Sequence, residues 1–176
     1  FTGSPSVGWE LKKKAYRKKI TLELGGNAAL VVEPDANLEY AVKRAVFGAF
    51  SFSGQICISV QRIFLHKKIY DTFMADFVSQ TKKLKMGDPL DKDTDIGPMI
   101  NLEAAQKTEE WIREALDNGA KIVVGGKRDG TMFEPTILEN VKPELRISWL
   151  EAFAPVVVIY PYNDFEEALR GVNYSI

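Results

Sequence analysis

The most reactive side chain in this sequence belongs to Cys57, the only cysteine of the chain. One cysteine cannot form an internal disulfide, so it is an inert core thiol, a nucleophile or a lone metal ligand. From the residue type alone, the inert thiol is the most frequent of these. The neighbours favour chemistry, because Gly54 leaves space for the close approach of another group and the amide of Gln55 can donate and accept hydrogen bonds. Neither neighbour is needed to fill a core.

Two carboxylates interrupt apolar stretches elsewhere in the chain. Glu23 lies within Leu22–Gly26, and a double glycine at the end of a strand is typical of backbone that passes close to a ligand. Glu151 lies within Leu150–Pro155, directly before an apolar run. Taken singly, each stretch also has a structural explanation, since Glu23 of an alternating strand can simply point into water.

The amino-terminal turn Gly3–Gly8 has the glycine separation of a phosphate-binding loop but lacks its chemistry. Trp9 and Glu10 stand where that motif requires Lys and then Ser or Thr. What remains is a Gly-Ser turn before a helix, whose backbone N–H groups could face an anion. A plain capped turn explains the sequence equally well.

The composition argues against several classes of partner. The 176 residues include 23 Lys or Arg and 24 Asp or Glu, and 45% are hydrophobic. We therefore expect no binding of nucleic acid or of an anionic membrane, and the basic run Lys12–Lys19 is more typical of a solvated helix face. No apolar run is long enough to span a membrane. A single cysteine fits a reducing compartment, which we expect to be the cytoplasm.

The spacing of apolar residues predicts strands that alternate with helices. Strands are predicted at Ile20–Leu24, Ala28–Val32, Val60–Leu65, Lys121–Val124, Phe133–Leu138 and Pro155–Tyr160. Helices are predicted at 5–18, 38–49, 69–84, 102–118 and 165–172, with a loop over 86–100. Ala28–Val32 is apolar throughout, so we expect it to be fully buried. The alternation predicts an α/β fold with a largely parallel sheet flanked by helices.

Four stretches, in their order along the chain, resemble the signatures of the NAD(P)-dependent aldehyde dehydrogenase superfamily. They are Phe1–Ser4, Leu22–Gly26, Gly54–Cys57 and Glu151–Pro155, and the weaker segments Gly87–Pro89, Gly97–Met99 and Phe133–Thr136 also match. The resemblance covers essentially the whole chain. It implies the fold of an aldehyde dehydrogenase catalytic domain and the oxidation of an aldehyde to a carboxylic acid with NAD or NADP.

The resemblance also implies a role for each unusual residue. Cys57 is expected to add to the aldehyde carbon, and a thioester remains after a hydride leaves for the nicotinamide; a thiolate is a strong nucleophile. Glu23 is expected to activate the water that hydrolyses the thioester, in mostly apolar surroundings that raise its pKa. Cofactor contacts are expected from Gly3, Ser4, Leu24, Gly25, Glu151 and Phe153, with Glu151 at the nicotinamide ribose. No metal is expected.

The sequence departs from the family pattern, and these departures lead us to expect that it is a fragment of a longer protein. In the family, an asparagine upstream of Phe1–Ser4 shares the oxyanion with the backbone N–H of the cysteine, and losing one such donor costs about a hundredfold to a thousandfold in rate. Leu150 stands where the family usually has a second carboxylate. We expect residues 1–24 to be the remnant of a dinucleotide-binding domain and 25–176 an incomplete catalytic domain, nearly inactive by itself.

Other functions stay open from the sequence. A cysteine hydrolase or acyltransferase needs a histidine beside the sulfur, but the only histidine, His66, is expected at the surface. An aldehyde dehydrogenase that forms acyl-CoA is a closer alternative, although Glu23 favours hydrolysis. A non-catalytic folding or oligomerisation module is the third. The expected partners are a small-molecule aldehyde and, for the parent protein, further copies in a homodimer or homotetramer.

Overall fold

A five-stranded sheet forms the centre of the chain in the computed structural model, in which residues 1–175 are described. Its strands, together with those of a separate hairpin, are β1 (Ala28–Val32), β2 (Val60–His66), β3 (Lys121–Val124), β4 (Arg128–Asp129), β5 (Met132–Phe133), β6 (Thr136–Glu139) and β7 (Val156–Tyr162). The order across the sheet is β1-β2-β7-β6-β3, in which β6 and β3 are antiparallel and the other neighbours are parallel. The predicted α/β fold with a largely parallel sheet is confirmed.

Helices cover both faces of this sheet. They are α1 (Pro5–Lys14), α2 (Leu38–Phe50), α3 (Tyr70–Thr81), α4 (Leu102–Asp117), α5 (Arg146–Trp149) and α6 (Phe165–Val172). Successive residues of a strand point to opposite faces. Val157 therefore joins the core cluster beneath α2 and α3, whereas Val158 joins the cluster beneath α4. The alternation of apolar side chains in β7 thus attaches both helical layers to one sheet.

Helix α2 leads the chain to the cysteine. The side chain of Asn37 caps the helix by accepting the backbone N–H of Tyr40, which satisfies a donor that the first helical turn leaves free. Ala45 and Ala49 are buried against the sheet. The helix is followed at once by a short 3-10 turn, Ser51–Gly54. This confirms the predicted helix and places its end just before Cys57.

Two predictions near the amino terminus are wrong. Ile20–Leu24 forms no strand, and a single parallel bridge joins Glu23 to Thr2. Helix α1 ends at Lys14 instead of residue 18. Gly8 is the buried residue of this helix. Because most helical stability in proteins comes from packing, additional turns of such an exposed helix would add little stability.

Two predicted strands also differ from the structure. Phe133–Leu138 is divided at Pro135, which has no N–H to donate to a ladder, so that Phe133 joins β5 and Thr136 begins β6. Strand β1, predicted to be fully buried, is an edge strand of the described sheet, and Val32 is its one buried residue. Apolar composition alone does not distinguish an edge strand from a central one. The short helix α5 was not predicted.

The amino ends of β1, β2 and β7 determine where the predicted site residues meet. These three strands are parallel neighbours, so the segments that precede them arrive at the same edge of the sheet. The segments are Gly25–Asn27, Gly54–Ser59 and Glu151–Pro155. Ile176, the last residue of the predicted catalytic domain, lies outside the described residues.

Candidate active site

A cavity of about 620 Å³ lies at this edge of the sheet. All of the residues predicted to be catalytic or cofactor-binding line it: Gly3, Ser4, Glu23, Leu24, Gly25, Cys57, Glu151 and Phe153. Thr2, Gln55 and Ile56 complete the lining. Residues that are far apart in the sequence are thus brought together around the thiol of Cys57, which is exposed.

The backbone before Cys57 is held in an unusual conformation. Phe52, Ser53 and Gly54 all have positive φ, at 54°, 56° and 66°. For Phe52 and Ser53 this left-handed conformation costs roughly 1–2 kcal/mol each, because the Cβ crowds the following carbonyl. The turn stops α2 and redirects the chain, so that Cys57 faces the cavity instead of continuing the helix.

Side chains of the same turn anchor it to the loop that contains residues 97–100. The Ser53 hydroxyl donates to the Gly97 carbonyl at 2.9 Å. The amide of Gln55 donates to the Pro98 carbonyl at 3.3 Å and accepts the N–H of Ile100 at 2.8 Å. Gln55, singled out in the sequence as a spare amide near the sulfur, therefore has an anchoring contact on both of its polar atoms.

Glycines permit three close approaches around the cavity. A Cβ on Gly54 would lie 2.0 Å from the Ala154 carbonyl oxygen. A Cβ on Gly26 would lie 2.7 Å from the carbonyl oxygen of Cys57, and one on Gly25 would lie 1.9 Å from a carboxylate oxygen of Glu151. A side chain on Gly54 or Gly26 would therefore collide with backbone, and one on Gly25 would displace the Glu151 carboxylate.

The carboxylate of Glu151 is oriented by a backbone N–H of the segment before β1. The Gly26 N–H donates to its Oε1 at 3.0 Å, and the residue is half-buried. Phe153, two residues later, has a φ of 49° and an exposed ring. This left-handed turn directs the ring into the lining of the cavity rather than into the core.

Glu23 enters the cavity from the irregular segment before β1. Its backbone N–H donates to the Phe1 carbonyl at 2.8 Å, and its carbonyl accepts the Gly3 N–H at 3.0 Å. Its side chain is exposed. The described residues therefore do not provide the apolar surroundings that the sequence predicts for this carboxylate.

Helix α1 begins at the same cavity. Ser4 occupies its N-cap position without a side-chain capping bond to the helix, so the first N–H groups are not capped by that side chain. Gly8 packs on Leu24, because a Cβ there would lie 2.4 Å from its Cδ2. The second glycine of the Gly3–Gly8 turn thus provides packing space and has no role in a phosphate loop.

Arg62 and Asn27 form a buried network behind the cavity that the sequence does not assign to a site. Arg62 is 2% exposed, and it donates to Asn27 Oδ1 at 3.0 Å and to the Asn27 carbonyl at 2.9 Å. Asn27 in turn donates to the Ser148 carbonyl at 2.7 Å. Burial lowers the pKa of the Arg62 guanidinium, against a smaller opposing effect of the Tyr160 phenol. In the sequence, this network is indicated by the adjacent polar pair Gln61 and Arg62 within an otherwise apolar strand.

His66 does not approach the cysteine. It ends β2, and Cys57 precedes the first residue of that strand, so about 20 Å of extended chain separates them. Its Nδ1 accepts the Lys68 N–H, and its ring packs edge-on against Tyr162. His66 is half-buried at the end of the strand, and the geometry argues against a cysteine–histidine pair.

Residues 1–175 contain neither a membrane-spanning helix nor a cluster of metal-binding side chains. No helix there is long and apolar enough to cross a lipid bilayer. In the same residues, no cluster of three or more His, Cys, Asp or Glu side chains is arranged to hold a metal ion.

The chain matches known proteins over nearly its whole length. The family model for the aldehyde dehydrogenase family matches residues 1–176. A 3-sulfolactaldehyde dehydrogenase of Priestia megaterium is 47% identical over 175 residues, which make up 99% of this chain and 37% of that protein.

Solved structures share the fold. An NADP-dependent enzyme of E. coli has a TM-score of 0.95 at 38% identity, over 98% of this chain and 37% of that one. The betaine aldehyde dehydrogenase of Staphylococcus aureus, in complex with NAD⁺, has a TM-score of 0.94 at 36% identity, over 100% of this chain and 37% of that one. The chain thus spans about 37% of the length of these proteins.

The substitution Gly54→Ala tests the close approach to Ala154. We expect it to lower the free energy of unfolding and to change the rate at which iodoacetamide alkylates Cys57. Gly130→Ala is the matched control, because Gly130 also has a positive φ of 56° but a Cβ there would meet nothing within 4 Å. The control should lose roughly 1–2 kcal/mol from its backbone conformation alone, and Gly54→Ala clearly more. Equal losses with unchanged alkylation would show that the contact is unimportant.

Proposed function

The chain belongs to the aldehyde dehydrogenase family, and we propose that the protein oxidises an aldehyde to a carboxylic acid with NAD(P), using Cys57 as the nucleophile. One observation carries the proposal: the exposed thiol of Cys57 shares a cavity with the carboxylates of Glu23 and Glu151. A non-catalytic module would have no need of a strained turn that exposes a thiol to such a cavity.

The first step is addition of the Cys57 thiolate to the carbonyl carbon of the aldehyde. A C–S bond forms, and the carbonyl electron pair moves to oxygen. Among residues 1–175, the backbone N–H of Cys57 donates to no backbone carbonyl, so it is available to stabilise that oxyanion. The turn at Ser51–Gly54 fixes this N–H and the sulfur together.

The cavity suits a nicotinamide cofactor, which when bound would accept the hydride that leaves the aldehyde carbon as the thioester forms. The proposed contacts are Gly3, Ser4, Leu24, Gly25, Glu151 and Phe153. The absence of a side chain at Gly25 is what keeps the Glu151 carboxylate accessible at this point, and the start of α1 can offer N–H groups to a dipole or an anion. The named relatives that use NADP or bind NAD⁺ support this assignment.

Glu23 is proposed as the general base of the second half-reaction. Its carboxylate takes a proton from water, the hydroxide attacks the thioester carbon, and the Cys57 thiolate leaves as the acid forms. The position of Glu23 in the same cavity as Cys57 supports this role. The exposed side chain leaves room for water to reach the thioester.

We also propose that residues 1–24 belong with a dinucleotide-binding domain and residues 25–176 with the catalytic domain. The central sheet begins with β1, and Thr2 and Glu23 pair with each other outside it. For the whole protein we propose a homodimer or homotetramer, supported by the exposed Phe47 on α2 beside the edge strand β1. A cytoplasmic location is proposed because the exposed thiol must stay reduced.

Replacing the nucleophile tests the proposed function in the full-length protein. Wild type should reduce NAD(P) when an aldehyde is added, measured as the absorbance of the reduced cofactor. Cys57→Ala should lower the rate roughly 10⁴-fold or more, because no other group can form the covalent intermediate. Cys57→Ser, which keeps the size and replaces sulfur with a poorer nucleophile, should also be nearly inactive. Substantial turnover by Cys57→Ala would exclude the proposed nucleophile.

Replacing the base separates the two half-reactions. Glu23→Gln should still release one burst of reduced cofactor per site, while its steady-state rate falls roughly a hundredfold or more, since water is no longer activated. The control Glu103→Gln removes an exposed carboxylate on α4, outside the cavity, and should behave as wild type. Stopped-flow absorbance resolves burst and steady state. An unchanged steady state in Glu23→Gln would remove Glu23 from this role.

A further inference from the structure

Gln61 is a polar residue that precedes Arg62 in a strand whose other residues are mostly apolar. It is the second residue of β2 and is 5% exposed. Its side chain crosses to the segment before β7 and makes its hydrogen bonds there with backbone atoms. The amide nitrogen donates to the carbonyls of Ile147 at 2.9 Å and Leu150 at 2.6 Å, and the amide oxygen accepts the Ala152 N–H at 2.8 Å.

Two of these hydrogen bonds are made to the peptide groups that flank Glu151. The Leu150 carbonyl and the Ala152 N–H belong to the peptide groups on either side of that residue, and one side-chain amide holds both. The backbone of Glu151 is thereby fixed relative to β2, the strand that Cys57 precedes. From this fixed backbone, the carboxylate reaches the Gly26 N–H and lines the cavity.

We propose that Gln61 is a positioning residue that places the Glu151 carboxylate for the nicotinamide cofactor. The inference rests on the proposed function, because it assigns Gln61 a role in cofactor binding through Glu151. Gln61 itself is absent from the lining of the cavity. It acts by holding the two peptide groups around Glu151, a task that needs both a donor and an acceptor at the end of one side chain.

Substitution can separate positioning from packing. Gln61→Met keeps a side chain of similar length and removes all three hydrogen bonds. Thr108→Val is the control, because it removes a buried hydrogen bond within α4, to the Ala104 carbonyl, away from the cavity.

The experiment uses the full-length protein and whichever of NADH and NADPH the wild type binds more tightly. Fluorescence titration gives the dissociation constant of the reduced cofactor, and steady-state kinetics give separate KM values for cofactor and aldehyde. We expect Gln61→Met to raise the cofactor dissociation constant and its KM about tenfold, the equivalent of one buried hydrogen bond. The KM for the aldehyde and the rate of Cys57 alkylation should change little. Thr108→Val should match wild type in all four measurements.

A double-mutant cycle tests whether Gln61 acts through Glu151. In the Glu151→Ala background, the carboxylate to be positioned is gone, so Gln61→Met should cause no further loss of cofactor affinity. An additional tenfold loss in that background would overturn the inference, and so would wild-type affinity in Gln61→Met. Equal increases in both KM values would indicate general loosening of the site and would also contradict it.

Hydrogen exchange on the wild type supplies a test that does not depend on a folded variant. The Ala152 amide should exchange slowly, as expected for an N–H held by the buried Gln61 side chain. If it exchanges as fast as the amides of exposed loops, the inference fails. The proposed function fails differently: a wild-type protein that neither binds a nicotinamide cofactor nor oxidises an aldehyde contradicts that function, whatever Gln61 does.

Discussion

The contact of Gly54 with the carbonyl oxygen of Ala154 is the constraint on which the rest of the site depends. It brings the turn before β2 against the segment before β7, at a distance that any side chain on residue 54 would prevent. The turn has an unfavourable conformational free energy, because Phe52 and Ser53 adopt left-handed backbone conformations. Parallel pairing of β2 with β7 and the anchoring of Ser53 to the 97–100 loop offset this cost. The result is that Cys57 stands at the cavity on a rigid support.

The site lies at the amino ends of three parallel strands, whereas ligands of open α/β sheets usually bind beyond the carboxyl ends. Here residues at the carboxyl ends of β1, β2 and β7 contact one another. The Tyr162 hydroxyl donates to the Val32 carbonyl and contacts the Glu33 carboxylate, and His66 packs edge-on against the Tyr162 ring. At the amino ends of these strands, the glycines before β1 and β2 instead leave space for the cavity. The one histidine and the one cysteine are therefore kept at opposite ends of the same strand.

Much of this arrangement follows from the sequence, because side-chain alternation and helical spacing report directly on burial. The sheet class and α2 are predictable in this way, whereas the residues that line the cavity are predicted by the resemblance to the aldehyde dehydrogenase family. The predictions fail where a contact distant in sequence decides the structure. Whether β1 is an edge strand depends on which other strands pair with it. Whether the Glu23 carboxylate has apolar surroundings depends on residues that are distant in sequence. The role of Gln61 does not follow from the sequence, because its hydrogen-bond partners lie 86 to 91 positions away.

We propose that Cys57, held in this cavity, becomes covalently acylated during turnover. Peptide mass spectrometry tests it most directly: the full-length protein is denatured with acid while it oxidises an aldehyde with NAD(P), then digested and mapped. We expect a mass increase equal to the acyl group on the peptide that contains Cys57, and none when the cofactor is omitted. An acyl group on a different residue, or sustained turnover with Cys57 never modified, would contradict it.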